Sequence, residues 1–260
     1  MALSLQFLGT GTSVGVPQIG CKCPVCTSSD PRDKRRRSGV YVRAGDTAFL
    51  IDTPPEFRIA CLELKVTKVD AVVLTHAHMD HIAGFDDMRR FNTLNGKTVI
   101  RCYAAQETVN AMHRMFPYIT TKANKQGLYR PMIDFRPITR AFRIGCAKLT
   151  PLPVEHGGPR TNGYLIEAEG KRVAYIPDCC ELPGNVLKRV RGVDIMVLDC
   201  LRDRFHPTHL NRERTVEYMK VIAPRRGYIT HICHEISHAQ WLRLLPRPIR
   251  PAYDGLRVVC

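Results

Sequence analysis

Four side chains that bind metals fall within six consecutive positions: His76, His78, Asp80 and His81, in the segment Thr75-His76-Ala77-His78-Met79-Asp80-His81. Imidazole nitrogens and a carboxylate suit zinc, iron or manganese. Alternate residues of an extended chain point to opposite sides, so a single ion cannot collect all four. The spacing predicts two adjacent metals, with His76 and His78 reaching one while the following turn carries Asp80 and His81 to the other. A metal pair activates a water between the ions and steadies the charge of a displacement at phosphorus or carbonyl carbon. A second cluster, Cys21-x-Cys23-x-x-Cys26, supplies three thiols that need a fourth donor to close a tetrahedral zinc site. His234 is the best candidate for that corner, and Cys233 is the alternative.

Such ligands must be held by regular elements. The apolar, β-branched run Val69 to Leu74 reads as a buried strand that delivers the histidine motif at its end. Further strand-like runs recur at Leu3–Leu8, Val40–Arg43, Ala48–Ile51, Val99–Tyr103, Lys148–Val154, Tyr164–Ala168, Arg172–Ile176, Ile195–Leu198, Gly227–Thr230 and Leu256–Val259. Turns at Ala44-Gly45-Asp46 and Glu169-Gly170-Lys171 predict two hairpins. Helical periodicity covers Gln106–Phe116, with Val109, Met112 and Phe116 on one face. It returns at Asn211–Ala223, with Asn211 as N-cap and Val216, Met219 and Ala223 inward. Val186, Leu187 and Val190 mark a shorter helix, and Ile119 to Arg136 reads as a loop or lid. Three more potential ligands, His156, Asp178 and His231, stand at the ends of predicted strands, where side chains can converge. Asp52 has two readings, a hydrogen-bond partner for a ligand histidine or a plain turn residue, and is left outside the site. Clustered strands interspersed with helices predict a layered α/β sandwich. No linker divides residues 1–260, which read as a single domain with a cysteine-rich zinc loop at about 20–27.

The chain of 260 residues is 44% hydrophobic and 24% charged, a globular composition with a net charge of +15. That excess attracts phosphate-bearing molecules. The densest run, Arg32 to Arg37, has no interleaved aromatic residues to stack on bases, so nucleic acid is a less favoured partner than a small anionic substrate. No apolar run is long enough to span a bilayer, and the start reads as a first strand rather than a signal peptide. Eleven cysteines in a chain without an export signal predict reduced thiols and a cytoplasmic protein.

The pattern His-x-His-x-Asp-His after a hydrophobic strand resembles the signature of the metallo-β-lactamase superfamily, which implies a four-layer αββα sandwich. Phe7-Leu8-Gly9-Thr10-Gly11-Thr12-Ser13, Gly15-Val16-Pro17, the three cysteines, Thr230-His231-Ile232-x-His234 and Ala252-Tyr253-Asp254-Gly255 narrow it. They are similar to the PhnP-type phosphodiesterases of the carbon–phosphorus lyase pathway, from Leu5 to about Leu256. The resemblance implies His76, His78 and His156 on one ion, Asp80, His81 and His231 on the other, and Asp178 bridging. It implies two divalent ions, manganese or zinc, and one structural zinc on Cys21, Cys23, Cys26 and His234. It also implies a small, cyclic phosphodiester substrate such as 5-phosphoribosyl 1,2-cyclic phosphate, hydrolysed by a metal-bridging hydroxide, and a homodimer.

Within His206-Pro207-Thr208-His209, His209 resembles the family's non-ligand active-site histidine; with Asp80 it makes up the candidate catalytic residues. His206 reads as structural, and His238 is an addition without an assigned role. Competing functions on the same ligands are a tRNase Z-like RNA-processing nuclease, a thioester or lactone hydrolase, and a noncatalytic zinc-binding interaction protein. Against the nuclease, no long Gly/Pro-rich arm stands out to grip tRNA.

Overall fold

A computed structural model describes residues 2–119, 129–158 and 160–260. Strands β1 (Ser4–Gly9), β2 (Gly39–Ala44), β3 (Thr47–Ile51), β4 (Ala71–Val73), β5 (Ile100–Ala104) and β6 (Ile133–Pro137) build a first sheet. Strands β7 (Phe142–Ile144), β8 (Ala147–Val154), β9 (Thr161–Ala168), β10 (Lys171–Ile176), β11 (Ile195–Asp199), β12 (Arg226–Thr230) and β13 (Ile249–Pro251) build a second. The last strand, β14 (Arg257–Val259), returns to the first sheet, giving the orders β14-β1-β2-β3-β4-β5-β6 and β13-β12-β11-β10-β9-β8-β7.

Side-chain alternation explains the layering. Along β3, Phe49 and Ile51 face the second sheet together with Leu5, Phe7 and Val42, and pack against its Ile166, Tyr175 and Val197. Ala48 and Leu50 face the other way, onto α1 (Phe57–Glu63), α2 (Met79–Ile82), α3 (Met88–Leu94) and α4 (Gln106–Met115), through Phe57, Ile82, Phe91 and Met112. The outer face of the second sheet is covered by α5 (Gly184–Val190), α6 (Arg212–Ile222) and α7 (His238–Leu244), through Val186, Met219, Ile222 and Trp241. Three apolar clusters thus separate four layers, and the fold is the αββα sandwich. No helix among the described residues is long and apolar enough to cross a membrane.

In each sheet an antiparallel half gives way to a parallel one, β3 to β6 and β10 to β13. Strands such as β11 are buried on both faces, as parallel strands covered by helices must be. Their carboxyl ends open on one edge of the sandwich, where ligands bind in open α/β sheets.

Several expectations need correction. Ile133–Pro137 is an edge strand paired with β5, although it lies in the stretch that reads as a loop; its sequence, Ile-Asp-Phe-Arg-Pro, carries the polar residues an edge tolerates. Positions 120–128 of that stretch lie outside the described residues. In α6 the buried residues are Thr215, Tyr218, Met219 and Ile222. Ala223 is instead an exposed C-cap at φ 51°, and Val216 is only partly buried. Thr215 can go inside because its hydroxyl donates to the carbonyls of Asp199 and Asn211, which a reading by apolar type misses.

Candidate active site

Every residue of the histidine motif sits at the carboxyl edge. His76 follows β4, and the chain turns at once into α2, which carries Asp80 and His81 inward. His156 follows β8, Asp178 follows β10, and His231 follows β12 in the left-handed region at φ 58°. That conformation costs a non-glycine residue about 1 kcal/mol or more and turns the ring away from the line of the strand.

The seven side chains form two groups that share Asp178: His76, His78, His156 and Asp178, then Asp80, His81, Asp178 and His231. In the first, His156 Nε2 is 3.4 Å from both His78 Nδ1 and Asp178 Oδ2, and His76 Nε2 is 3.7 Å from the same oxygen. In the second, His81 Nε2 lies 3.3 Å from Asp80 Oδ2 and from Asp178 Oδ2, while His231 Nε2 lies 3.5 Å from Asp178 Oδ1. Ligands at metal–ligand distances near 2.1 Å in tetrahedral array stand about 3.4 Å apart. The cage therefore has the ligand-to-ligand edges of metal polyhedra.

Orphaned atoms give the same result. His76 Nε2, His81 Nε2 and Asp178 Oδ1 are buried without a hydrogen-bond partner, which costs about 1–3 kcal/mol each unless something discharges them. Their other ring nitrogens are engaged. His81 Nδ1 donates to Asp52 Oδ2 at 2.7 Å. Thr75 Oγ1 donates to that carboxylate, so it accepts from His76 Nδ1 at 2.9 Å. His156 Nδ1 donates to the Thr208 carbonyl at 2.8 Å. Each bond fixes a tautomer whose Nε2 lone pair faces the cage. Burial is the largest influence on the His81 ring and disfavours its charge, yet Asp178, Asp52 and Asp80 outweigh it and raise the pKa well above 6.5. Asp178 is held well below the carboxylate range, despite burial, by His231, His81 and His76. Buried carboxylates at Asp52, Asp80 and Asp178, packed against imidazoles whose inner nitrogens lack hydrogen bonds, call for cations.

The Beta-lactamase superfamily domain profile matches residues 47–232. The crystal structure of a new diphosphatase from the PhnP family matches with a TM-score of 0.91 at 36% identity, covering 100% of this chain and 98% of that one. The chain belongs to the PhnP family of the metallo-β-lactamase superfamily. As a PhnP-family protein it is a metal-dependent hydrolase, and the cage is a group of side chains that could hold divalent ions. An octanoyltransferase from Porphyromonas gingivalis is 30% identical over 258 residues, 97% of this chain but 51% of that protein, so the chain spans about half its length. Coenzyme PQQ synthesis protein B from a Methylobacterium species is 29% identical over 218 residues, 74% of this chain and 71% of the relative.

Beside the cage of this PhnP-family chain lies a cavity of about 420 Å³, lined by Ser13, His78, Asp80, His156, Asp178, His209 and His231 among others. His209 stacks on His231 at 4.6 Å between ring centroids, and its Nδ1 donates to Asp199 Oδ2 at 2.8 Å. Burial lowers its pKa, while Asp178 and Asp80 pull the other way. His206, which reads as structural from the sequence, lines the same cavity. Sequence reasoning misses Asp199 and the Thr208 carbonyl and leaves Asp52 open. Asp52 and the Thr208 carbonyl act across 29 and 52 residues and Asp199 across 10, and only position at a strand end hints at Asp52 and Asp199.

The three thiols converge on His234: Cys21, Cys23 and Cys26 Sγ lie 3.4, 3.3 and 3.4 Å from its Nδ1. A tetrahedral zinc with three sulfurs and one nitrogen has such edges, at roughly 3.5 Å. The Cys26 backbone N–H is the main cause that lowers the Cys23 thiol to about 6, whereas burial raises Cys26 to about 11. Cys233, the alternative fourth donor, is buried elsewhere, with its N–H on the Leu201 carbonyl. Gly9 and Gly11 serve close packing: a Cβ there would meet the backbone of Arg36 and Arg37 or of Arg35 and Arg36 within 3 Å. His238 begins α7, where its Nδ1 faces the buried Arg35 guanidinium at 3.4 Å.

Proposed function

We propose that this chain is a phosphodiesterase for a small anionic substrate of the ribosyl cyclic phosphate type. The reading gives it two divalent ions, manganese or zinc, in the cage and one zinc at Cys21, Cys23, Cys26 and His234. The observation that carries it is the shared carboxylate: Asp178 belongs to both ligand groups and stands beside a histidine, His209, that belongs to neither of them. A bound metal pair supplies an activated water and neutralises charge on the phosphoryl oxygens.

The protein's own groups do the rest. His76, His78 and His156 hold one position, Asp80, His81 and His231 the other, and Asp52, Thr75 and the Thr208 carbonyl keep the rings in the ligating tautomer. Asp199 fixes His209 through Nδ1, so its Nε2 is the nitrogen available to the substrate. A proton on that Nε2 passes to the leaving alkoxide, and burial of the ring favours its release. The cavity of about 420 Å³ suits a small molecule better than a tRNA acceptor stem. Eleven free cysteines suit the reducing cytoplasm.

The test is a parallel assay of metal-replete protein on a ribose cyclic phosphate, a chromogenic phosphodiester, pre-tRNA, a thioester and a lactone, with metal content measured on the same sample. Turnover of the small phosphodiesters above the rest is expected. Preference for pre-tRNA or a carbonyl substrate, or silence at full metal occupancy, would replace the reading with the corresponding rival.

A further inference from the structure

Two cavities away from the cage hold their cations in different ways. In one, of about 470 Å³ between the basic run and α1, Arg36 is paired with Glu63 and Arg37 with Glu56. The other, of about 330 Å³, is lined by Arg43, Lys65, Lys68 and Arg257, and no Asp or Glu is among the described residues around it. Arg43, Lys65 and Arg257 make no ion pair and no side-chain hydrogen bond among the described residues. Lys68 alone has a carboxylate near it, Asp70 at 3.6 Å, and that same oxygen already accepts from the Ala48 N–H. A hollow lined by charge of one sign focuses the field on its interior and concentrates counter-ions there.

Strand register explains why these groups converge. Ser4 pairs with Arg43, and Gln6 pairs with both Tyr41 and Arg257, across β2, β1 and β14. Leu5 and Phe7 point into the sandwich, so the alternate residues Ser4 and Gln6 lie on the outer face of the sheet. Both line the hollow, and neither side chain has a hydrogen-bond partner among the described residues. Beyond α1 the chain crosses this face, where the Tyr41 hydroxyl donates to the Lys68 carbonyl at 2.9 Å. Lys65 stands there at φ 53°, the left-handed position after a helix that glycine usually fills. A long cationic side chain is thus kept where the backbone favours none. The hollow is also remote from the cage: Arg43 pairs with Ala48 near the start of β3, whereas the cage lies past the carboxyl end of β4.

We propose that this hollow is a second anion site, separate from the cage, for a small molecule carrying linked phosphates, a diphosphate or a triphosphate. A single phosphate carries roughly two negative charges, fewer than the four cations can meet, and the volume fits a compact ligand rather than a nucleic-acid track. The site does not depend on what the cage hydrolyses. The test is calorimetric titration of the metal-replete protein with tripolyphosphate, ATP and AMP, in buffer containing inorganic phosphate so that ions in the cage are already occupied. Wild type binds tripolyphosphate, and AMP binds about tenfold more weakly or not at all. ATP separates the sources: an affinity equal to or below that of tripolyphosphate assigns a bare phosphate chain, and a higher one assigns a nucleotide. Lys65→Gly, which the left-handed backbone accepts, combined with Arg257→Ala weakens tripolyphosphate binding by about tenfold or more. That variant keeps the metal content and unfolding midpoint of the wild type. Lys188→Ala combined with Arg243→Ala removes the same charge from α5 and α7 in the other helix layer and leaves binding unchanged. No binding to wild type, AMP as tight as tripolyphosphate, unchanged binding in the first variant, or equal losses in both would overturn the site.

Discussion

Two ligand clusters meet the same strand end, three residues apart, and they are built for opposite purposes. His231 enters a cage whose ligands come from four separate strand ends and whose far side opens on a cavity. His234 closes a knot in which three of four corners come from a six-residue stretch, and all three sulfurs lie within 3.4 Å of its Nδ1. In the cage, hydrogen bonds donated by the rings to Asp52, Thr75 and the Thr208 carbonyl orient them. In the knot, backbone amides reach the sulfurs themselves, from Cys26 to Cys23 and from Gln18 to Cys26. An open position with oriented ligands is what chemistry requires, and a closed tetrahedron is what folding requires. The left-handed His231 separates the two outcomes along one short segment.

The largest expected effect comes from the carboxylate both cage groups share. Asp178→Asn keeps shape but removes a charge buried among four imidazoles, so hydrolysis falls below detection and at least one metal equivalent is lost by elemental analysis. Retention of full activity and full metal content would break the bridge assignment and the distinction between cage and knot. His209→Ala comes next, with turnover lowered by about 10²–10⁴-fold and metal content intact, because its ring belongs to the cavity side. Loss of metal in that variant would make His209 a ligand.

On the other side of the comparison, His234→Ala opens the knot without touching the cage. One zinc is lost, the midpoint of thermal unfolding drops by several degrees at about 2–4 °C per kcal/mol, and the remaining activity still responds to added divalent ions. The segment it pins carries Thr12, whose N–H bonds the Ile232 carbonyl one residue past His231, so some activity should go with stability. Unchanged melting with one zinc lost would show that the knot does not support the fold.

Legibility in the sequence follows the same division. The candidate ligands are legible because metal chemistry restricts residue type so strongly: His, Asp and Cys gathered at strand ends or in a tight run rarely serve packing alone. The hydrogen-bond partners are not, because Asp52 and the Thr208 carbonyl acquire their roles only when segments 29 and 52 residues apart close together, and Asp199 only when the loop after β11 folds back on it. His206 shows the limit from another direction; its type is visible in the sequence, its place on the cavity is not. Long periodic elements such as α4 and α6 can be seen, whereas α1 and α3 are short and lack side-chain N-caps. The start of α7 does carry a signal, the capping box of Ser237 and Gln240, but the neighbouring histidines mask it.

The smallest effect concerns His238, which sits four residues beyond the knot and belongs to neither candidate ligand cluster. Its Nδ1 can only accept from Arg35, since a guanidinium has no lone pair to offer. Burial first, then Arg35 and Arg32, depress its pKa from 6.5 to about 4. Between those values the unfolded chain binds the proton and the folded chain does not, so stability rises with pH across this window. The contribution is fully present above 6.5 and is lost as pH falls toward 4, on the order of 3 kcal/mol at most and about 2 kcal/mol by pH 5. His238→Asn keeps an acceptor near Nδ1 and cannot titrate, so its stability should depend less on pH between 6.5 and 5 than that of the wild type. Release of the metals in acid affects both proteins alike and cancels in the difference between their denaturation curves. Parallel curves would mean that His238 is already charged when folded, and the pairing with Arg35 would have to be redrawn.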